Sequence, residues 1–464
     1  MRIPTVPASL SPRLTPPRIM ALGFGAAILL GTLILCLPAA TRDGTALSTL
    51  TALFTATSAT CVTGLSVIDI GTRLSPLGQL TVLALIQLGG LGITVFGTFM
   101  LVLLGQRLSV RNEFAVMDVY GVESVRGLRS LVLWTLGFTL FFEGLGTLVL
   151  WSRPGNPASV GTLPHNISPR LFDAFFHAVS AFCNAGFSLH GDSLTGFRSD
   201  PVYVAVIGIL ILAGGIGFLV LFNFVSLRFW RRNLKTRGRL TLHTRTVLTA
   251  TAVLIVAGTL FFLIQERANT LAGLPAGTRW VCALFQSITP RTAGFNIVPM
   301  GQIHEHTRFL TILLMLVGGS PGSAAGGVKT TTLAVLIATV VSLCQGHRET
   351  VLFGRTLPHA VVRESLVIIT LFGTLILTAY GLLLWTEMPL RPGDASALFF
   401  ETVSASATVG LSIDRTPSLS AAGRCVMIFC MVAGRLGPLT LAHLIGTRDR
   451  EPLIRYPTED LVVG

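Results

Sequence analysis

Four half-apolar stretches, each reaching a glycine, recur along this 464-residue chain and limit what it can fold into. They are LFTATSATCVTGLS ending at Ser66, FFHAVSAFCNAGFS ending at Ser188, LFQSITPRTAGFN ending at Asn296 and FFETVSASATVGLS ending at Ser412. Each opens with Leu-Phe or Phe-Phe, runs through small and hydroxyl residues, and arrives at Gly64, Gly186, Gly294 or Gly410. Those glycines lie 122, 108 and 116 residues apart. From the second opening residue to the glycine is ten residues in three copies and nine in the third. Such spacing means one supersecondary unit used four times.

The unit is a membrane unit. Charged residues make up 12% of the chain, about half the ~25% of soluble domains, and the hydrophobic set makes up 51%. Apolar segments long enough to span lie near 19–38, 76–104, 131–151, 202–227, 246–264, 308–343, 363–386 and 420–445. The first is longer than a secretory signal core, so it reads as a retained span. The four glycine-ended stretches are too short to cross a ~30 Å hydrocarbon core and read as re-entrant helices. The expected fold is therefore an all-α integral membrane protein. It has four repeats of span, re-entrant pore helix and span, eight transmembrane helices in all, around one central cation pore. Repeats are expected at 19–105, 131–228, 246–344 and 363–446, with cytosolic segments at 1–18 and 447–464.

Charge sets the orientation. The formal net charge is +13, and the segment Arg228 to Arg245 holds seven basic residues and no acid. On the same side of an eight-span arrangement lie Arg2, Arg13 and Arg18, then Arg107, Arg111, Arg126 and Arg129. Arg348, Arg355 and Arg363, and the tail residues Arg448, Arg450 and Arg455, share that side. It faces the cytoplasm by the positive-inside rule, with both termini inside a multi-pass plasma-membrane protein. Asp69, Asp173, Asp192, Asp394, Glu401 and Asp414 then fall outside, near the glycine loops. Without a soluble domain, the basic excess does not read as a nucleic-acid site. The seven cysteines lie in or beside apolar runs with no CxxC or Cys/His cluster, so neither disulfides nor zinc are expected.

Exposed backbone at membrane depth is allowed only where it lines a wet cavity or is buried in protein. A short helix entering from outside points its partially negative C-terminus toward the bilayer centre. A glycine in the following loop lets carbonyl oxygens turn one way. Four such loops about one axis can replace the hydration shell of a cation. The expected cargo is a monovalent cation, one pore per chain.

With these stretches, LVGGSPGSAAGGVKTTTLAVL (Leu316 to Leu336) and AGRLGPLTLA (Ala433 to Ala442), the chain resembles the membrane subunit of the Trk/Ktr/HKT superfamily of potassium transporters. The resemblance covers essentially its whole length. Within the superfamily it is similar to the KtrB type, because the chain starts directly with the first repeat. The family's filter maps onto Val62, Thr63 and Gly64; Asn184, Ala185 and Gly186; Thr292, Ala293 and Gly294; and Thr408, Val409 and Gly410. Glycine at 64 resembles the potassium-selective pattern. The resemblance further implies sodium dependence, a homodimer with one pore per protomer, and a cytosolic KtrA-like RCK ring that binds ATP or ADP. Membrane lipid is the other expected contact of the basic inner face.

Mid-span, Gly318, Gly319, Ser320, Pro321, Gly322, Ser323, Gly326 and Gly327 interrupt the helix pattern. They read either as a packing kink or as an intramembrane gating loop beneath the filter, the role the family gives this segment. The pairs Gly89-Gly90 and Gly214-Gly215 read as packing sites. Arg435 sits inside the last span, where a charge is expensive. It either hinders cation passage and anchors the gate, as the resemblance implies, or pairs structurally. Lys329 follows the loop and either serves the gate or snorkels to the inner interface. Glu143 needs a partner that the sequence does not name. Arg291 either steadies the filter by hydrogen bonds or faces water. His177 reads as a satisfied or mouth-facing histidine. Without a Walker loop or a strand-borne GxGxxG, no nucleotide site is expected on this chain. A secondary solute transporter would show two- or three-fold repetition and mid-membrane charges, and an enzyme would show a reactive cluster at one depth.

Overall fold

The computed structural model describes residues 16–92, 125–153, 168–229, 240–389, 395–437 and 440. Among them the chain is almost wholly helical, with one small hairpin of β1 (Val351–Leu352) and β2 (Arg355–Thr356). The helices form four successive sets. The first is α1 (Pro16–Leu35), α2 (Thr49–Thr60) and α3 (Pro76–Leu91). The second is α4 (Val125–Trp151), α5 (Pro169–Phe182), α6 (Pro201–Ile216) and α7 (Phe218–Phe229). The third is α8 (Leu242–Gln265), α9 (Ala276–Ile288), α10 (Glu305–Leu316) and α11 (Thr330–Cys344). The fourth is α12 (His359–Glu387), α13 (Ala395–Ser406) and α14 (Ala421–Leu436).

The sets close on one another in chain order. Helix α3 packs on α5, α6 on α9, α10 on α13, and α14 returns to α2. Their faces are inside-out relative to a soluble bundle. On α4, Thr135, Thr139, Glu143 and Thr147 recur every fourth residue and are buried, while Leu140, Phe141, Leu145 and Leu148 are exposed. Outward apolar groups match a lipid solvent, which offers no hydrophobic drive between helices. Close approach through small residues does the packing instead. A Cβ on Gly31 of α1 would meet the Leu85 side chain of α3.

Local chemistry starts and stops these helices. Ser75, Asp200 and Ser420 cap α3, α6 and α14 by accepting backbone N–H bonds, and Pro76 and Pro201 occupy first-turn positions. The stops depart from the expected continuous spans. Helices α3, α6 and α14 end at Gly92, Gly217 and Gly437, whose φ values are 79°, 97° and 84° with ψ of 137°, 140° and 140°. At Gly217 the chain turns by 96° between Pro201–Ile216 and Phe218–Phe224. The third set has a longer interruption, residues 317–329, between α10 and α11.

Consequently, among the described residues three helices are individually long and apolar enough to cross a membrane: Leu133–Trp151, Leu242–Gln265 and His359–Glu387. Pro201–Ile216 and Phe218–Phe224 pass that test only as a bent pair. The N-terminal segment before residue 16, the residues after Gly92 in the first repeat, and the C-terminal tail lie outside the described residues. So do Arg2, Arg13, Arg107, Arg111, most of the Arg228–Arg245 basic run, and Arg448, Arg450 and Arg455.

Gly217 has a backbone conformation that only glycine adopts readily, and a Cβ there would sit 2.8 Å from the Pro321 carbonyl oxygen. Gly217→Ala should therefore destabilise the protein by about 1–3 kcal/mol. Thermal melting in detergent should show a lower midpoint; an unchanged midpoint would contradict the break at this residue.

Candidate functional site

The four glycine loops begin at the C-termini of α2, α5, α9 and α13 and share one backbone pattern. Val62, Asn184, Thr292 and Thr408 have φ of 57°, 58°, 69° and 51°. Two residues on, Gly64, Gly186, Gly294 and Gly410 have φ of 93°, 68°, 77° and 91°. The N–H groups of Thr63, Ala185 and Val409 donate back to the Ser58, Ser180 and Ser404 carbonyls at 2.8, 2.7 and 2.8 Å. In the shorter third copy the Ala293 N–H donates to the Thr289 carbonyl at 2.9 Å. A left-handed conformation at four non-glycine residues is uncommon and persists only where surroundings over-determine it.

The loops meet. A Cβ on Gly64 would strike the Ala185 carbonyl oxygen, and one on Gly186 would lie 2.7 Å from that of Ala293. One on Gly294 would lie 2.5 Å from that of Val409, and one on Gly410 would strike that of Thr63. Each glycine thus faces the carbonyl preceding the next glycine, and the fourth returns to the first. Only hydrogen side chains permit that spacing. The supporting helices are placed by the same device: a Cβ on Gly89, Gly214 or Gly434 would strike the Thr60, Phe182 or Ser406 carbonyl oxygen at the ends of α2, α5 and α13. Gly89 and Gly214 are packing glycines, as expected. The chain breaks three residues later, which the sequence reading missed although GGLG, GGIG and GRLG share one spacing.

Residues 317–329 reach three of the four sets. The Gly318 N–H donates to the Val328 carbonyl at 2.9 Å, closing the loop's base, and the Thr330 N–H to that of Gly319 at 3.1 Å. The Ser320 and Ala324 N–H groups donate to the Gly215 and Gly214 carbonyls at 3.1 and 3.2 Å. The Phe218 N–H donates to the Gly322 carbonyl at 3.0 Å, beside Pro321. Ser323 Oγ donates to the Ser320 carbonyl at 2.6 Å. A Cβ on Gly326 would strike Thr408 Oγ1, and one on Gly327 would lie 3.4 Å from the Ala407 carbonyl. The loop therefore lies against the end of α13, directly at the fourth glycine loop.

Arg435 joins this loop to the first set. Its guanidinium donates from Nη1 to the Ala324 carbonyl and from Nη2 to the Gly89 carbonyl. Lys329 Nζ donates to the Ala325 carbonyl at 2.7 Å, so it folds onto the loop rather than snorkelling away. Of the two courses expected of Arg291, facing water is excluded: it is buried and its Nη2 donates to Thr251 Oγ1 of α8 at 3.1 Å. Around Glu143 stand Gln87 Nε2 at 3.4 Å and Cys183 Sγ at 3.8 Å. His177 is buried, with Nε2 2.9 Å from Ser188 Oγ.

A ring of backbone oxygens at the negative ends of four inward helices suits a dehydrated cation. The comparisons agree with that chemistry. Residues 26–446 match the family described as "TrkH: Cation transport protein". The chain belongs to this family. It is 36% identical over 456 residues to the Ktr system potassium uptake protein B of Bacillus subtilis, covering 97% of each chain. It is 37% identical to the protein of that name from Vibrio alginolyticus, covering 97% of this chain and 95% of the other. It is 34% identical to the potassium/sodium uptake protein NtpJ of Enterococcus hirae, covering 97% and 98%. The crystal structure of the potassium transporter TrkH from Vibrio parahaemolyticus shares the fold, with a TM-score of 0.70 at 19% identity over 94% of this chain and 86% of that one. Family membership places the chain among cation transporters rather than enzymes.

Hydrogen bonds to a charged donor contribute about 1.5–3 kcal/mol each. Arg435→Gln should therefore loosen the loop, and amide hydrogen exchange across 320–328 should quicken by about tenfold or more. Unchanged exchange would show that Arg435 does not hold the loop.

Proposed function

We propose that this protein takes up potassium across the plasma membrane, through a pathway lined by the carbonyls of the four glycine loops. The observation that carries the reading is the closed ring in which each glycine faces the oxygen before the next. The filter residues would be Val62, Thr63 and Gly64, Asn184, Ala185 and Gly186, Thr292, Ala293 and Gly294, and Thr408, Val409 and Gly410. Potassium moves down its electrochemical gradient, and the ring oxygens stand in for its hydration water. The eight-span, four-repeat topology with both termini in the cytoplasm belongs to the same reading.

Residues 318–327 form the gate, with Lys329 and Arg435 as its anchors. The support is that the loop touches the fourth glycine loop while bonded to the broken ends of α6 in the second set and α14 in the fourth. A loop held by a few backbone bonds can exchange between two arrangements at small cost. The names of the two Ktr-system relatives support a multi-component assembly. In it this chain acts as a homodimer on a cytosolic RCK ring that carries the ATP or ADP. Sodium dependence completes the proposal, and NtpJ is named for both ions.

The test is cation uptake by purified protein in liposomes, with and without external sodium. Saturable potassium or rubidium flux exceeding sodium flux is the expected result, increased by sodium. Absence of flux both alone and with an RCK ring would overturn the reading. In the same assay Gly64→Ser, which pushes a side chain at the Ala185 oxygen, should lower the potassium-over-sodium ratio by about tenfold, ~1.4 kcal/mol of discrimination. An unchanged ratio would remove Gly64 from the filter.

A further inference from the structure

One register inside the four short helices is occupied by a different polar residue in each copy. Thr55, His177, Gln286 and Glu401 each follow the opening aromatic, and all four are buried. Two of them reach the turn beyond the glycine. Glu401 Oε1 accepts from Ser412 Oγ at 2.6 Å and from the Ile413 and Arg415 N–H groups at 3.0 and 3.3 Å, while Oε2 accepts from Thr416 Oγ1 at 2.5 Å. His177 Nε2 lies 2.9 Å from Ser188 Oγ and 3.4 Å from the Leu189 nitrogen. Ser188 and Leu189 follow Gly186 as Ser412 and Ile413 follow Gly410, so His177 and Glu401 brace equivalent turns. Thr55 bonds back to the Thr51 carbonyl of its own helix instead.

The two braces differ in what surrounds them. Every hydrogen bond to the Glu401 carboxyl comes from a neutral donor. His177 stands in a buried group: Asp173 Oδ1 lies 3.3 Å from His177 Nδ1 and 3.3 Å from His190 Nε2. The two imidazole rings stack, 4.9 Å apart. From α6, Tyr203 lies within electrostatic reach of Asp173 and stacks on Phe197, which itself packs against His190. Asp69 of the first set comes up beside Gly191, and Asp200, paired with Arg153 at 2.9 Å, stands beyond Tyr203. His177 Nδ1 is 2.9 Å from the Asp173 carbonyl oxygen, so this nitrogen carries a hydrogen and is not free to hold a metal.

We propose that His177 is a positioning residue that makes the outer turn of the second glycine loop proton-sensitive, a regulation that rests on the transport reading above. With Nε2 unprotonated, its lone pair receives the Leu189 N–H and the Ser188 hydroxyl. With Nε2 protonated, it donates to Ser188 Oγ, which turns its own hydrogen to the Ser193 carbonyl 3.1 Å away. The Leu189 N–H then faces a hydrogen and loses its acceptor. Leu189 is tightly held from outside, since a Cβ on Gly71 would strike its carbonyl oxygen. Release of its amide is therefore felt across the contact with the first set. Imidazole is the side chain that changes charge between about pH 5 and 8, whereas the equivalent Glu401 brace is a carboxyl held by four neutral donors.

The experiment measures rubidium uptake into proteoliposomes at external pH from 5.5 to 8, alongside pH-dependent hydrogen exchange of residues 184–194 in detergent, corrected for intrinsic rates. In the wild-type protein, flux should change severalfold through one midpoint, and the 184–194 segment should lose protection on acidification. His177→Gln, which installs the third copy's residue, should bring the flux ratio between the two pH extremes to about one and flatten the exchange profile. Asp173→Asn keeps the imidazole and should move the midpoint to lower pH, because the imidazolium loses its carboxylate. A wild-type exchange profile flat with pH, or a His177→Gln protein that keeps the wild-type profile, would overturn the proposal. If His177→Gln does not fold, an unmoved midpoint in Asp173→Asn would do so. A profile abolished by a chelator would place a metal among these side chains and overturn it equally. Absence of wild-type flux with the exchange transition intact would instead count against the transport reading and leave the proton switch standing.

Discussion

Backbone carbonyls cannot be left stranded in hydrocarbon, and the rest of this structure follows from how that constraint is met. Four short helices stop inside the molecule, which leaves their last carbonyls without helical partners. The glycines that follow bring these loops edge to edge, so each glycine lies against the oxygen ahead of the next and the fourth returns to the first. The surrounding helices are shaped to this ring. Gly89, Gly214 and Gly434 let α3, α6 and α14 press against the ends of the short helices, and the return of α14 to α2 closes the circle.

Function enters where the fourfold pattern is broken. In the motifs GGLG, GGIG and GRLG, Arg435 stands where Gly90 and Gly215 stand in the other sets. At Gly215 the bare backbone accepts the Ser320 N–H, so the loop can lie close. At Arg435 a long cation reaches across instead, holding the loop's Ala324 and the first set's Gly89 together. A half-buried arginine whose guanidinium donates to two carbonyl oxygens thus ties the loop of the third set to the first set. The third set contributes the loop itself, longer than a glycine break because residues 317–329 must reach the end of α13.

The turns beyond the glycines show a second asymmetry. One register carries Thr55, His177, Gln286 and Glu401, and only His177 and Glu401 brace the turn beyond their glycine. Glu401 does so with four hydrogen bonds to one carboxyl, whereas His177 does so with one nitrogen whose role depends on a proton. Equivalent positions thus provide a fixed brace in one copy and, on the proposal above, a proton-responsive one in another.

Much of this was legible in the chain itself. Apolar length, scarce charge and the four glycine-ended stretches specify a helical membrane protein with four short helices, because periodicity and composition act locally. The glycine positions and the interrupted segment after Leu316 were readable for the same reason. What the sequence could not disclose were relations between distant residues. The breaks at Gly92, Gly217 and Gly437 were hidden inside long apolar runs, since one glycine in such a run is ordinary and only a backbone with φ near +85° makes it a stop. Arg291 bonding to Thr251, Glu143 beside Gln87 and Cys183, and Arg435 on Ala324 and Gly89 join residues 40 to 346 apart. Asp173, His177 and His190 were likewise scattered letters until a helix and a turn stacked them. Sequence alone determined the helical membrane character of the chain and the four short glycine-ended stretches, because composition and spacing act locally. Tertiary structure decided which buried charge meets which oxygen, because burial makes each polar group find a partner wherever packing happens to place one.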